Sequence, residues 1–370
     1  MSGTRICVIG GGLAGSLLAW RLASVGAAVD LVTGAWEVDA TAVSGGVVRG
    51  FERDPLLSAA ATSSLVELRA SRTLRHWARY QEFGSLYLYR PTRGDQGIRD
   101  DQGIPPADPG LQPQLNDLEA QLPGSIRLLD ARDLAAAGWA RLPAGTIGVA
   151  ERHAGAISPE GLRRGVFAEL ARRPAVRLLA GSVTAVRPAG GGVQVDRVPG
   201  AGEYDLAVIA AGRWTGPLLE RSGLTADGLR TKCVQYSVHE VSGPRPPAFV
   251  DETSGLYGRP VGRDRMLLGV PLDMWDVDPD EPPGSARARA DATAWAALRL
   301  PRMRIVGPPT AQAVSADSYA DPPTLALRPV PDADGRVLTF AGGSGGSAKS
   351  AFAVSREAAA LLSSGRLAPA

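Results

Sequence analysis

A short apolar run near the start of the chain leads into a glycine-rich turn and then into an amphipathic segment. Residues 5–9 are typical of a short buried strand, and apolar residues recur at helical spacing over 13–24. The apolar run 27–32 predicts a second strand, so the segment is a strand–helix–strand unit. Apolar positions at helical spacing between residues 54 and 83 predict a long helical region after it.

The middle of the chain repeats this alternation of helix and strand. Ser158, followed by a proline, suits the N-cap of a helix predicted over 159–173. Short strands are predicted over 176–179 and 205–210, with a hairpin turn at the glycines 190–192 between them.

The periodicity then changes. Apolar and polar residues alternate between 231 and 271, which indicates antiparallel strands. A helix is expected over 286–298, and residues 336–363 return to strand, glycine-rich loop and helix. The prediction is an α/β fold in which a Rossmann-type nucleotide-binding domain is interleaved with an α+β substrate domain built on an antiparallel sheet. The predicted boundaries assign residues 1–84, 150–227 and 324–370 to the first domain and residues 85–149 and 228–323 to the second.

Composition limits the kinds of partner. The 370 residues are 44% hydrophobic and 21% charged, and 40 basic against 38 acidic side chains leave a net charge of +2. Without a block of Lys or Arg, binding to nucleic acid or to a membrane has no electrostatic basis. The apolar runs are too short to cross a bilayer and the first residues lack a cleavable leader pattern, so we expect a cytoplasmic protein. Cys7 and Cys233 have no metal-ligand spacing, which predicts two reduced structural thiols and no metal site.

Three glycines in the first turn carry the first chemical signal. Gly10, Gly12 and Gly15 fit the pattern GxGxxG between a predicted strand and a predicted helix. The first glycine allows the tight turn, the second lets the backbone approach a pyrophosphate, and the third lets the helix pack on the strand. The helix N-terminus supplies oriented N–H groups to the anion. The motif therefore predicts dinucleotide binding.

The end of the second strand departs from the usual pattern. Thr33 stands where an Asp or Glu commonly accepts hydrogen bonds from the adenosine ribose. A Thr hydroxyl does this only weakly, and Glu37 and Asp39 are the nearby acids that could replace it. No Arg follows Thr33 closely, so the missing acid does not indicate NADP.

Two later glycine-containing segments favour FAD over NAD. The strand predicted over 205–210 ends in Ala211-Gly212, and residues 340–353 form a glycine-rich loop that enters a helix. A nicotinamide-binding domain needs only the GxGxxG turn. A buried, extended FAD needs several places where the backbone comes close to the cofactor.

These motifs, taken in order, resemble those of the D-amino-acid oxidase superfamily of flavoproteins, in particular its sarcosine oxidase and glycine oxidase branch. The resemblance covers nearly the whole chain and rests on GGGLAG at 10–15, VSGGVVRG at 43–50, AGAISPEGLRRGVFAEL at 154–170, DLAVIAAGRWTG at 205–216, GLYGRPVGRDRMLLG at 255–269, LRPVPDADG at 327–335 and GGSGGSAKSA at 342–351. It implies FAD, an antiparallel sheet over the isoalloxazine ring, and oxidation of a C–N bond with hydride passing from the α-carbon to flavin N5. Motif and resemblance together assign to the cofactor Gly10, Gly12, Leu13, Ala14, Gly15, Thr33, Ser44, Gly45, Val183, Ala211, Gly212, Gly345, Gly346, Ser347, Ala348 and Lys349.

The resemblance also implies cations for the substrate. The family's closing loop has the form G-x-S-G-H-G-x-K, which makes Lys349 the expected cation facing the substrate carboxylate and the flavin O2 region. Arg328, in an R-P-x-x-D pattern, is the expected carboxylate fork, and Arg49 is another candidate. Tyr236 and Tyr257 on the alternating strands are expected to pack rather than to bind the substrate.

Three departures from the family pattern carry predictions of their own. Members with covalent flavin have a Cys before a Pro-Asp segment, where residues 324–327 are Thr-Leu-Ala-Leu, so we expect non-covalent FAD. Leu267 stands near the position of a Lys that assists reaction with oxygen in sarcosine oxidases, so fast oxidase behaviour is not expected. Gly346 replaces the loop His, which indicates a substrate other than sarcosine or glycine.

The main hypothesis is an enzyme that oxidises a small-molecule amine or amino acid. The first alternative is a flavin monooxygenase or halogenase-like enzyme that uses NAD(P)H. The second is a flavoprotein that acts on a carrier- or protein-bound substrate, since the Gly-, Pro- and Asp-rich insertion 91–113 offers a docking surface.

Overall fold

The computed structural model describes residues 4–34, 39–91, 111–226, 228–331 and 333–364, so Glu37 and most of the predicted insertion lie outside the described residues. The strands of the described residues are β1 (Arg5–Ile9), β2 (Ala28–Thr33), β3 (Val47–Val48), β4 (Gln81–Glu82), β5 (Ser85–Tyr89), β6 (Ile126–Leu129), β7 (Ile147–Glu151), β8 (Gly155–Ala156), β9 (Val176–Ala180), β10 (Ser182–Ala189), β11 (Gly192–Val198), β12 (Ala201–Tyr204), β13 (Leu206–Ile209), β14 (Arg230–Ser242), β15 (Ala248–Asp251), β16 (Leu256–Val261), β17 (Arg265–Gly269), β18 (Arg304–Tyr319), β19 (Ala326–Pro329) and β20 (Val337–Ala341). The helices are α1 (Leu13–Ser24), α2 (Pro55–Ala70), α3 (Arg72–Ala78), α4 (Gln112–Gln121), α5 (Ala131–Ala136), α6 (Pro159–Leu170), α7 (Thr215–Arg221), α8 (Ala286–Arg299) and α9 (Ser347–Ser364).

A six-stranded sheet in the order β19-β20-β13-β1-β2-β9 forms the nucleotide-binding part. Its strands are parallel except for β19 at one edge. The central strand β1 is apolar and buried after Arg5, as expected for a strand of a parallel sheet that is covered on both faces. The chain passes from β1 to β2 on one side and later adds β13 on the other, which opens a crevice at the carboxyl ends of these strands.

An eight-stranded sheet in the order β18-β14-β17-β16-β15-β5-β7-β6 forms the second part. Neighbouring strands are antiparallel except for β15 and β5, which run parallel. The alternation between residues 231 and 271 is confirmed as antiparallel strands, and the predicted α/β fold class is confirmed. β7 runs through the boundary predicted at residue 150.

The predicted helices differ from the structure mainly at their ends. α1 covers the predicted residues, and α6 begins at the predicted Ser158 cap, whose Oγ accepts a hydrogen bond from the Gly161 N–H at 3.0 Å. The single helical region predicted over 54–83 is wrong: Ser71 has extended backbone angles, separates α2 from α3 and caps α3, and β4 follows. The long strand β18 escaped prediction because its first half is mostly exposed and lacks an apolar alternation.

One hydrophobic cluster joins the two parts. Leu17 of α1 and Leu31 of β2 belong to the same core as Tyr89 of β5 and Phe352 of α9, and all four are fully buried. This shared core fixes the position of the glycine-rich turns relative to the eight-stranded sheet. No helix within the described ranges is long and apolar enough to cross a membrane.

Candidate active site

A cavity of about 690 Å³ opens at the carboxyl ends of β1, β2 and β13. Gly10 and Gly12 line it, and so do the predicted cofactor contacts Val183, Ala211 and Gly212. Leu13, Ala14 and Gly15 do not line it, because they lie in the first turn of α1 behind the glycines.

The glycine turn leaves room for a ligand on one side only. Gly10 has a φ of +113°, and a Cβ there would lie 2.3 Å from the Ala210 carbonyl oxygen. A Cβ on Gly15 would lie 2.0 Å from the Gly10 carbonyl oxygen, so the helix packs directly on the turn. A Cβ on Gly12 would meet only the Thr41 Oγ1 at 3.2 Å. The backbone at Gly12 therefore faces open space at the N-terminus of α1, which fits a dinucleotide pyrophosphate.

Thr33 and Asp39 near the ribose position already have hydrogen-bond partners. Thr33 lines the cavity and donates from Oγ1 to the Gly34 carbonyl oxygen at 3.4 Å. Asp39 also lines it, but one carboxylate oxygen pairs with Arg163 and the other accepts from the Ala42 N–H at 2.7 Å. That Asp39 replaces the missing ribose acid stays a prediction.

A second cavity of about 350 Å³ lies between the glycine loop before α9 and the eight-stranded sheet. The predicted cofactor contacts among its lining residues are Ser44, Gly45, Gly345, Gly346, Ala348 and Lys349. The sheet contributes the opposite wall, including Tyr236, Tyr257 and Leu267. The segment with Ser44 and Gly45 and the glycine loop before α9 therefore meet at this cavity, whereas Ala211 and Gly212 line the first one.

The loop 342–346 has a defined shape. Gly342, Ser344 and Gly345 all have positive φ, and the Ser344 N–H donates to the Ser318 carbonyl oxygen at 3.0 Å. Ser347, which begins α9, does not line the cavity, and its Oγ fills the place of a Gly343 side chain. Opposite the loop, the Arg259 Nε donates to the Gly45 carbonyl oxygen and ties that segment to β16.

Buried charges form the floor of the second cavity. Arg49 Nη2 lies 2.9 Å from Glu52 Oε1, and the Lys349 Nζ pairs with the same oxygen. Both cations line the cavity, whereas Glu52 lies behind them. Glu151 accepts the N–H groups of Gly50 and Phe51 at 2.8 and 2.9 Å and closes the cluster from below.

The environment shifts the pKa values of these groups. Burial is the strongest influence on Lys349 and lowers its pKa, although the charge of Glu52 acts in the opposite direction. Burial also opposes ionisation of Glu52, yet the charges of Arg49 and Lys349 outweigh it and lower the Glu52 pKa. Burial raises the pKa of Glu151 against its two backbone hydrogen bonds. Glu52 is therefore the carboxylate that holds the two cations together.

The structure does not bring Arg328 to Lys349. Arg328 lies on the edge strand β19 and does not line the second cavity. Its guanidinium donates to the carbonyl oxygens of Ala341 at 3.0 Å and Thr324 at 2.9 Å. These bonds tie β19 to the end of β20 and to the turn before β19, whereas Arg49 shares the Glu52 carboxylate with Lys349.

The remaining predicted residues of the wall are closely packed. Leu267 is buried, and its Cδ1 lies 3.7 Å from where a Cβ on Gly45 would stand. The Tyr257 hydroxyl donates to the Gln235 carbonyl oxygen at 2.7 Å. Cys7 and Cys233 are both free and buried, as predicted, but Cys233 also lines the second cavity.

Two residues at this site, Glu52 behind the cavity and Lys232 in its wall, have no counterpart in the sequence predictions. Glu52 follows Arg49 by three residues, a spacing too common to signal a buried pair. Lys232 lines the cavity at the start of β14, and the only signal for it is the rarity of lysine in an arginine-rich chain.

The parallel sheet, the glycine turn and the two adjoining cavities are together typical of a dinucleotide-dependent enzyme. The chain matches the FAD dependent oxidoreductase (DAO) family over residues 5–361 and belongs to this family. The predicted resemblance and the prediction of FAD as cofactor are thereby confirmed.

Solved structures share this fold at low sequence identity. NikD, an unusual amino acid oxidase essential for nikkomycin biosynthesis, superposes in its open form with a TM-score of 0.71 and 18% identity over 99% of this chain and 98% of its own. L-proline dehydrogenase from P. horikoshii has a TM-score of 0.74 and 16% identity, with coverages of 98% and 94%. Glycine oxidase from Geobacillus kaustophilus has a TM-score of 0.70 and 18% identity, with coverages of 97% and 94%. No curated protein is a significant match to this chain.

Proposed function

We propose that this FAD-dependent oxidoreductase oxidises the C–N bond of a small amino acid. The observation that carries the proposal is the pair of cations, Arg49 and Lys349, that share Glu52 and line the second cavity. Gly45 and the glycine loop before α9, both assigned to the cofactor, line the same cavity. The structural neighbours that act on amino acids support the same substrate class.

The chain's own residues supply recognition and exclusion of water. FAD, when bound, supplies the acceptor of a hydride from the substrate carbon at flavin N5. The Arg49 guanidinium and the Lys349 ammonium bind the substrate carboxylate, with Glu52 holding both cations in position. The apolar side chain of Leu267 and the ring of Tyr257 cover the reacting carbon from the sheet side.

The experiment is anaerobic reduction of the flavin absorption band by a panel of amino acids and simple amines. An amino acid should bleach the band, and Lys349→Met should slow bleaching and raise the half-saturating concentration by about tenfold or more, the range for a lost charge-assisted contact. Arg287→Ala, which removes a fully solvated cation of α8, is the matched control. Equal rates in Lys349→Met and Arg287→Ala contradict the carboxylate site.

The same proteins test the alternative chemistry. Reduction of the flavin by NADPH but by no amino acid would favour the monooxygenase hypothesis. The family match favours an oxidoreductase of the DAO type instead, and no feature within the described ranges favours a carrier-bound substrate.

We further propose that the FAD is held without a covalent bond. Leu325 and its neighbours provide no thiol before β19, and the Cys233 thiol donates to the Pro283 carbonyl oxygen at 3.0 Å. Burial raises the pKa of Cys233, which disfavours the reactive thiolate. Acid precipitation should therefore release FAD into the supernatant. Colour that stays in the wild-type pellet but not in the Cys233→Ser pellet would refute the proposal and identify the linking thiol.

A further inference from the structure

The use of lysine in this chain is confined to one place. The sequence contains 38 arginines and two lysines, Lys232 and Lys349. Both line the second cavity, one from the start of β14 and the other from the first turn of α9. Lysine presents a compact ammonium rather than a planar fork, so both positions call for a point charge in a confined space.

Aromatic rings hold the ammonium of Lys232. Its Nζ lies 4.2 Å from the centroid of the Trp275 ring and 5.5 Å from that of the Tyr319 ring. The two rings meet edge to face at 5.3 Å, and the Trp275 indole N–H donates to Asp273 Oδ1 at 2.8 Å. The cation is therefore positioned by two rings, of which Tyr319 also lines the cavity.

Tyr319 connects this position to the glycine loop. Its backbone forms a bridge with Gly343, and its hydroxyl oxygen lies 3.2 Å from where a Cβ on Gly345 would stand. The Tyr319 ring thus contacts both the Lys232 ammonium and the glycine loop that leads to Lys349. The two lysines approach the same small cavity from different walls.

The acids around Lys232 have other partners. Asp273 binds Trp275, and Asp276 pairs with Arg230. Asp317, the cross-strand partner of Lys232, accepts the N–H groups of Ser318 at 2.8 Å and Gly345 at 3.1 Å. No ion pair joins Lys232 to a carboxylate within the part of the chain that the structure describes. Asp317 also lines the cavity, but it is not ion-paired with Lys232, so an anion in the cavity would meet a cation without a direct carboxylate partner.

We propose that Lys232 binds a second acidic group of the substrate, so that the substrate is an amino acid with two carboxylates. This inference rests on the proposed function, because the first carboxylate occupies the site at Arg49 and Lys349. The cavity of about 350 Å³ suits a small diacid rather than a long-chain one. Specificity follows because a neutral side chain would leave the Lys232 charge without a counter-charge.

The test is calorimetric titration of the FAD-loaded protein with unreactive acids, comparing acetate and propionate with malonate, succinate and glutarate. At least one dicarboxylate should bind roughly tenfold or more tightly than the monocarboxylates, the range of a hydrogen bond between charged groups. Lys232→Met should abolish this preference and Lys232→Arg should retain part of it. The Arg230 guanidinium also lies over the Trp275 ring, at 4.8 Å, but Arg230 does not line this cavity. Arg230→Met should therefore leave the preference for dicarboxylates intact.

The outcomes separate the two proposals. Equal binding of monocarboxylates and dicarboxylates by the wild-type protein, or a preference that survives Lys232→Met, overturns the role of Lys232 while the amino-acid site stands. A lower melting temperature in Lys232→Met with an unchanged preference also overturns it and assigns the residue a structural role. If no acid of either kind binds and no amino acid reduces the flavin, the proposed function itself fails.

Discussion

Substitution of Glu52 by Gln tests the buried charge cluster directly. Glu52 is the shared partner of Arg49 and Lys349, and its side chain is 11% exposed, against 7% and 20% for the two cations. Glutamine keeps the shape and removes the negative charge, so two like charges remain close together with little water. We expect the free energy of unfolding to fall by about 3–5 kcal/mol, the range for removing one partner of a buried ion pair.

The missing charge can be supplied from the cavity. Because Arg49 and Lys349 both line it, acetate should bind Glu52→Gln more tightly than it binds the wild-type protein. Acetate at about a hundred times its dissociation constant should restore roughly 2.7 kcal/mol. The assay is urea unfolding of the FAD-loaded protein in sodium acetate and in sodium chloride of equal ionic strength.

A second carboxylate in the molecule provides the control. Glu67 of α2 also bridges two arginines, Arg21 of α1 and Arg356 of α9, but lines neither cavity. Glu67→Gln should lose stability without a specific response to acetate. The reasoning is refuted if Glu52→Gln unfolds at the wild-type midpoint, or if acetate stabilises both variants equally.

Three further predictions address the cofactor, the pH dependence and oxygen. Gly12→Val should give a folded protein without FAD, because a Cβ there meets only Thr41 Oγ1, whereas Gly10→Val should fail to fold; absorbance and circular dichroism separate the two. Acetate binding should weaken as pH rises through the lowered pKa of Lys349, because only the protonated amine attracts the anion, and titrations of Lys349→Arg should lack this step. Leu267→Lys should accelerate reoxidation of the reduced flavin by air in stopped-flow measurements. An unchanged rate would contradict the prediction that Leu267 makes the reaction with oxygen slow.

Local patterns predicted the parts of the fold that depend on neighbours in sequence. The unit β1-α1-β2 is specified by short-range periodicity and by glycines whose conformations no other residue adopts cheaply. β18 was missed because its partner β14 supplies the hydrogen bonds and its own side chains carry little apolar signal. Long-range pairing of this kind leaves no periodic trace in one segment alone.

The candidate site likewise contains features that local sequence predicts and features that depend on long-range contacts. Lys349 was found through its glycine loop, which is contiguous in sequence. Its pairing with Glu52, 297 residues away, depends on packing of α9 against the segment before α2, and no spacing encodes that contact. Arg328 carried a family pattern, yet the geometry of the β19 edge directs its guanidinium to backbone carbonyl groups.

The charges around the second cavity constrain the substrate more closely than its shape does. Arg49 and Lys349 line the cavity and both pair with Glu52, whereas the carboxylate of Glu151 accepts two backbone N–H groups and contacts neither cation in an ion pair. The paired group of two cations and one carboxylate carries one net positive charge, which suits a single substrate carboxylate and which a simple amine would leave without a counter-charge. Lys232 adds another positive charge from β14, on a different element from Arg49 and Lys349. The cavity therefore favours amino acids over amines, and among amino acids those with a second acidic group.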